Sequence, residues 1–199
     1  MKHILIISFI LIFFLGCGPV EEVAVISTQF GDIVIAFFPE VAPKHVESFM
    51  LHAREGYFDG TTFHRVIPGF VIQGGDPNTR DENRMNDGLS GRAARFYNVG
   101  TEADTTSWAL PAEFNDCPHV RGALSMARSQ DHNSAGSQFF ICVADVRRLD
   151  NKYTVFGEVI RGLEAVDRIV NTPRDERDNP LEPVAMTIKL IPRKDIDEQ

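Results

Sequence analysis

Between residues 23 and 192 the chain alternates short apolar runs with turn residues. Residues 23–30 and 32–38 are β-rich runs around Gly31 and predict a hairpin. Pro43 suits the first position of a helix, Val46, Phe49, Met50 and Ala53 follow at helical spacing, and Gly56 closes it. Two apolar runs flank Pro68 and Gly69 within residues 63–76, predicting a second hairpin. Residues 123–127, 138–143, 153–156 (ending at Gly157) and 184–191 read as further strands. Leu163, Val166, Ile169 and Val170 give a helix over 160–170, and 193–199 form a charged tail expected to fray. Many short strands with two helices, without repeats or a shift in composition, predict a mainly β single domain built as a barrel.

Side-chain alternation sharpens this picture. Phe63, Arg65 and Ile67 are expected on one strand face, with His64 on the other as a structural residue. An arginine among apolar strand neighbours is costly unless its donors are satisfied. It is either a surface charge on a half-wet strand or a charge held over an apolar pocket. Val71 and Gln73 share a face, as do Gln138 and Phe140, while Phe139 and Ile141 point the other way into the structure. Phe70 reaches Gln73 only if the chain bends after Gly69. His45 and His52 lack a spaced metal partner and are expected in solvent.

Hydrophobic residues are 43% and charged residues 24% of the 199-residue chain, which is the balance of one globular domain with appendages. The formal charge of -8 argues against a nucleic-acid partner. Residues 80–109 are polar and aperiodic but carry Phe96, Tyr97 and the single tryptophan, Trp108. Their second half, 92–108, is either a surface loop with its aromatics tucked against the body or an extra lip over a groove. Cys17, Cys117 and Cys142 match no zinc spacing. Cys142 reads as a small buried apolar residue, and a Cys117–Cys142 disulfide stays open at this level.

Residues 1–16 have the charge and apolar run of a targeting segment, too short for a comfortable membrane span. Phe14, Leu15, Gly16 and Cys17 resemble a bacterial lipobox, with Phe14 where leucine is usual. That resemblance implies cleavage before Cys17, lipidation there, and a membrane-anchored exported lipoprotein on a periplasmic or extracellular face. A plain secretory signal with an incidental cysteine is the alternative. Residues 17–22 would form the tether, the domain would run from 23 to 192, and 193–199 would be the tail.

The run from Phe63 to Asp76, together with Gly122 to Ser129 and Asn133 to Ile141, resembles the signature of the cyclophilin-type peptidyl-prolyl isomerases. The resemblance implies a closed eight-stranded antiparallel β-barrel capped by two α-helices, acting without a cofactor or metal. It implies catalytic roles for Arg65, Gln73 and Phe70, with Arg65 as the guanidinium and Gln73 orienting it. Phe70, Val71, Phe140 and Leu149 would hold the proline ring, and Ala127, Arg128 and Ser129 the residues before it. Gln138, Gly88 and Tyr153 complete the substrate-binding set. Val71 stands where methionine is more usual. Arg148 and Tyr153 stand where many eukaryotic members have tryptophan and histidine, so weak cyclosporin binding is expected.

No serine-based triad, phosphate loop or zinc-protease motif is evident. An arginine, two glutamines and several phenylalanines offer no nucleophile, but they suit binding and electrostatic stabilisation. The expected function is X-Pro isomerisation in exported proteins by a monomer whose partners are proline-containing segments. A peptide-binding chaperone module with little turnover and a structural surface lipoprotein are the competing readings.

Overall fold

The structure is a computed structural model and describes residues 21–197. The expected signal segment, Cys17 and most of the tether lie outside the described residues.

Eight strands form one antiparallel sheet: β1 (Glu22–Thr28), β2 (Gly31–Phe37), β3 (Arg65–Ile67), β4 (Val71–Gly74), β5 (Ala123–Met126), β6 (Phe139–Cys142), β7 (Val155–Arg161) and β8 (Thr187–Pro192). Their order is β3-β4-β6-β5-β7-β2-β1-β8. The expected closed barrel is not what this ladder describes. β3 and β8 are its edges, and a single isolated bridge, Thr62 to Ala185, pairs the segments that precede them. The sheet is an open half-barrel.

Helix α1 (Pro43–Arg54) starts at its proline as expected, and Gly56 follows its end with φ +67°. Phe49 enters the core from α1, 5.0–5.6 Å from the rings of Phe37, Phe58, Phe139 and Phe156. Helix α2 (Leu163–Val170) buries Val166, Ile169 and Val170. It is shorter than expected because β7 runs on through Gly157 to Arg161. A Cβ at Gly157 would lie 2.5 Å from the Ala36 carbonyl, so glycine lets β7 approach β2 closely. The tail also differs from expectation. One turn, α3 (Lys194–Asp197), buries Ile196 against Val23 and Val34, and Arg193 pairs with Glu21. Strand β1 thus begins inside the expected tether.

Neither helix histidine is in solvent. His45 is 1% exposed, and its Nδ1 lies 2.7 Å from Glu113 Oε2. His52 is fully buried, with Nε2 2.8 Å from the Arg92 carbonyl and its ring stacked on Tyr57 at 4.0 Å. Glu113 and Phe156 cover His45, and the 92–108 loop, which lies on α1, covers His52. Ala94 N–H donates to Ser48 Oγ, Tyr97 Oη to Glu47, and Arg95 pairs with Glu47. Arg92 and Phe96 flank Trp108. The loop therefore tucks its aromatics against the body, and none of its residues lines the cavities described next.

Candidate active site

The second hairpin builds one wall of the site. Gly69 has φ +72°, a conformation that glycine adopts at no steric cost, and Phe70 N–H donates to the Ile67 carbonyl. The resulting turn turns Phe70 back over the hairpin, as the bend after Gly69 required. In register, Arg65 faces Gln73, and Gln73 faces Phe140 on β6. Alternation then separates two layers. Ile72, Phe139 and Ile141 join the main core, while Val71, Phe140 and Cys142 join a second cluster with Phe70, Leu149 and Tyr153 against it.

Above that second cluster lies a cavity of about 360 Å³. Ten of the expected site residues line it: Arg65, Phe70, Val71, Gln73, Gly88, Ala127, Arg128, Phe140, Leu149 and Tyr153. Ser129 and Gln138 line an adjoining cavity that shares Gln73, Gly88, Ala127 and Arg128 with the first. Cys17 lies outside the described residues.

The polar side chains form a relay. Arg65 Nη1 donates to Gln73 Oε1 (3.3 Å), Gln73 Nε2 donates to Gln138 Oε1 (2.9 Å), and Gln138 Nε2 donates to the carbonyls of Gly88 and Ser90. Arg65 also lies over the Phe70 ring, Cζ 5.9 Å from its centroid. The guanidinium is thus aimed and still open to the cavity.

Four further residues line the cavity that the sequence did not single out as site residues: His64, Asp87, Arg177 and Asn179. β3 begins only at Arg65, so strand alternation does not extend back to His64 or Phe63. Phe63 is buried in the main core, while the His64 ring sits beside Gly88 with neither nitrogen hydrogen-bonded. Burial lowers its pKa against the opposing pull of Asp76 and Asp87. Arg177 and Asn179 come from the loop before β8, whose Asp, Asn and Pro content is a turn signal only. Asn179 Nδ2 donates to Asp87 Oδ2 (2.6 Å).

A serine–histidine–aspartate chain does exist. Asp150 Oδ1 is 3.0 Å from His119 Nδ1, and His119 Nε2 is 3.0 Å from Ser125 Oγ. Sequence alone did not reveal it because the three residues lie up to 31 residues apart and share no local motif. Ser125 and His119 are fully buried, so no substrate reaches the hydroxyl, and Ser125 Oγ donates to the Thr154 carbonyl. The His119 ring lies nearly parallel to Phe140, 6.1 Å between centroids. The chain braces the cavity floor. Burial holds His119 below its ordinary pKa although Asp150 pulls it upward.

Cys117 and Cys142 are free thiols. Burial pushes Cys142 up to about 12 and raises Cys117 as well, so both are protonated at neutral pH. Among the described residues no group of three or more His, Cys, Asp or Glu side chains is placed to hold a metal ion.

The sequence and the fold have parallels among known proteins. A probable peptidyl-prolyl cis-trans isomerase of Brucella abortus is 43% identical over 149 residues, covering 75% of this chain and 71% of that protein. The human peptidylprolyl isomerase domain and WD repeat-containing protein 1 is 41% identical over 172 residues, 85% of this chain but 24% of that much longer protein. Among solved structures, a Cryptosporidium parvum cyclophilin type peptidyl-prolyl cis-trans isomerase, crystallised in the presence of the dipeptide Ala-Pro, superposes with a TM-score of 0.72 at 29% identity, covering 86% of this chain and 98% of that one. The family profile described as Cyclophilin type peptidyl-prolyl cis-trans isomerase/CLD matches residues 23–189. With the hairpin arginine, the glutamine relay and the apolar floor in one cavity, the chain belongs to the cyclophilin-type peptidyl-prolyl cis-trans isomerase family.

Proposed function

We propose that Arg65 is the electrostatic catalyst of X-Pro rotation in this cavity. Rotation about an amide meets a barrier of ~18–20 kcal/mol because resonance is lost. No covalent bond need break, so the enzyme has only to bind the twisted amide better than either planar form. In the twisted state the proline nitrogen is pyramidal and accepts a hydrogen bond. A guanidinium placed there favours that state. Phe70, Val71, Phe140 and Leu149 grip the ring, and Tyr153, whose ring meets Phe140 edge-on at 5.8 Å, closes one side. Ala127, Arg128 and Ser129 take the residues before proline, with Gln138 and Gly88 beside them.

The observation that carries this reading is the Arg65–Gln73–Gln138 relay. It holds a charge over the cavity's apolar floor, which a pure peptide binder does not need. Proline exchange by NMR on a short X-Pro peptide separates the two: acceleration supports the isomerase, and binding without acceleration supports the chaperone module. Arg148, in place of an indole wall, lies over Phe70 at 4.5 Å, which supports weak cyclosporin affinity.

The substrates proposed are exported proteins, met by a monomeric domain, residues 23–192, anchored through a lipid on Cys17 after removal of residues 1–16. The support is the apolar leader and the lipobox-like residues before Cys17. Incorporation of a labelled fatty acid that is lost in Cys17→Ala would bear out the anchor. Incorporation unchanged by that substitution would overturn it.

A further inference from the structure

The protein carries a formal charge of -8, yet its cavity is ringed by cations. Arg65, Arg128 and Arg177 line it, and Arg148 lies across the Phe70 ring. Asp87 is the one carboxylate among the lining residues, and it is already hydrogen-bonded by Asn179. Among the described residues none of the four guanidiniums lies within 4.0 Å of a carboxylate.

Their partners are neutral. Arg128 donates to the carbonyls of Lys152, Ser129 and Gln130, and Arg177 to the Arg84 carbonyl and the Met85 sulfur. Such bonds fix a guanidinium without cancelling its charge. Asp175 is the carboxylate that senses Arg177. It is lowered first by the Asn179 backbone N–H, it accepts the Arg177 backbone N–H as well, and its ion pair is with Arg84 rather than with the Arg177 guanidinium.

The positive residues differ in which cavity they reach. Arg128 lines both cavities, on the side where the residues before proline are placed. Arg177 lines only the main cavity, and Phe70, which Arg148 overlies, does likewise. With the residues before proline placed along 127–129, toward the adjoining cavity, those after it fall to the part of the main cavity that the adjoining one does not share, where Phe70 and Arg177 lie.

We propose that Arg148 and Arg177 select X-Pro segments bearing Asp or Glu in the first or second position after the proline. The inference rests on the isomerase reading of the same cavity. Both guanidiniums are exposed, so solvent screens them and the effect is moderate. A Glu peptide is expected to exceed its Lys counterpart by roughly three- to tenfold in kcat/KM. The ratio shrinks as salt shortens the Debye length below ~8 Å.

The test uses the full-length chain and three peptides that differ only after proline, carrying Glu, Ala or Lys. Exchange and affinity are read from the same NMR spectra, for the wild type and for the Arg148→Glu, Arg177→Glu double variant, with folding checked by circular dichroism. The proposal expects Glu over Ala over Lys in the wild type and a reversed order in the double variant. Equal values for the three peptides in the wild type, or an order that the double variant keeps, overturn it. Should no peptide be isomerised, the catalytic reading fails, and the order of affinities still decides the charge preference. Should none bind, both fail.

Discussion

The Arg65 guanidinium is aimed by Gln73, and Gln73 is aimed by Gln138, which is itself fastened to the carbonyls of the Gly88 loop. Removing Gln73 should leave the arginine present but unaimed. Gln73→Ala is expected to lower kcat about tenfold with a smaller change in peptide affinity, a split that steady-state and binding measurements resolve. Beneath Phe140, Ser125→Ala removes a buried partner of His119. Chemical unfolding should report a loss of about 1–3 kcal/mol, because the imidazole nitrogen is left unpaired. At this scale the ten cavity residues named from the family resemblance do line one cavity; strand alternation by itself paired only Val71 with Gln73 and Gln138 with Phe140, and the bend after Gly69 adds Phe70. His64, Arg177 and Asn179 were not legible. The first lies just outside the strand whose periodicity was applied to it. The others sit on a loop whose position depends on contacts with Arg84, Met85 and Asp87, 92 or more residues away.

Helix α1 begins without a local cap, because Ala42 has no side chain to accept the first N–H groups. Glu113 does so from 69 residues away. Its carboxylate accepts the backbone N–H groups of Lys44 and His45 and also meets His45 Nδ1. Burial alone would raise this carboxyl, but the His45 and Lys44 bonds more than offset that and hold it low. Glu113→Ala should cost about 1–2 kcal/mol in denaturant unfolding, and an unchanged midpoint would contradict the cap. The helix itself was legible from its proline and apolar spacing. Its cap and the burial of His45 were not, because both come from tertiary contact. The boundary between β7 and α2 was misplaced for a related reason. Gly157 reads as a stop in sequence, whereas here it serves the close approach of two strands.

For the molecule as a whole, buried histidines set the acid response. Burial lowers His52 to about 4 from an ordinary 6.5, against a hydrogen bond to the Arg92 carbonyl that pulls it upward. The folded value lies below the unfolded one, so the unfolded chain takes up the proton first. Its contribution is complete above about pH 6.5 and is lost as pH falls toward 4, by up to about 3 kcal/mol. His64 and His119 are lowered for the same first reason and act in the same direction. Urea unfolding at pH 7 and pH 4.5 should show this fall. His52→Gln, which keeps a donor for the Arg92 carbonyl, should flatten part of it. An equal slope in the variant would assign the acid sensitivity elsewhere.

The central claim is that a single guanidinium, held over the apolar floor of the cavity, supplies the catalysis. Proline exchange measured by NMR on one X-Pro peptide, for the full-length chain and Arg65→Ala, tests it most directly. By analogy with the loss of one well-placed donor to a transition state, the rate enhancement should fall by ~10²–10³. Peptide binding and the circular dichroism spectrum should be retained. A folded Arg65→Ala variant that still accelerates exchange within a few-fold of the wild type would contradict the account.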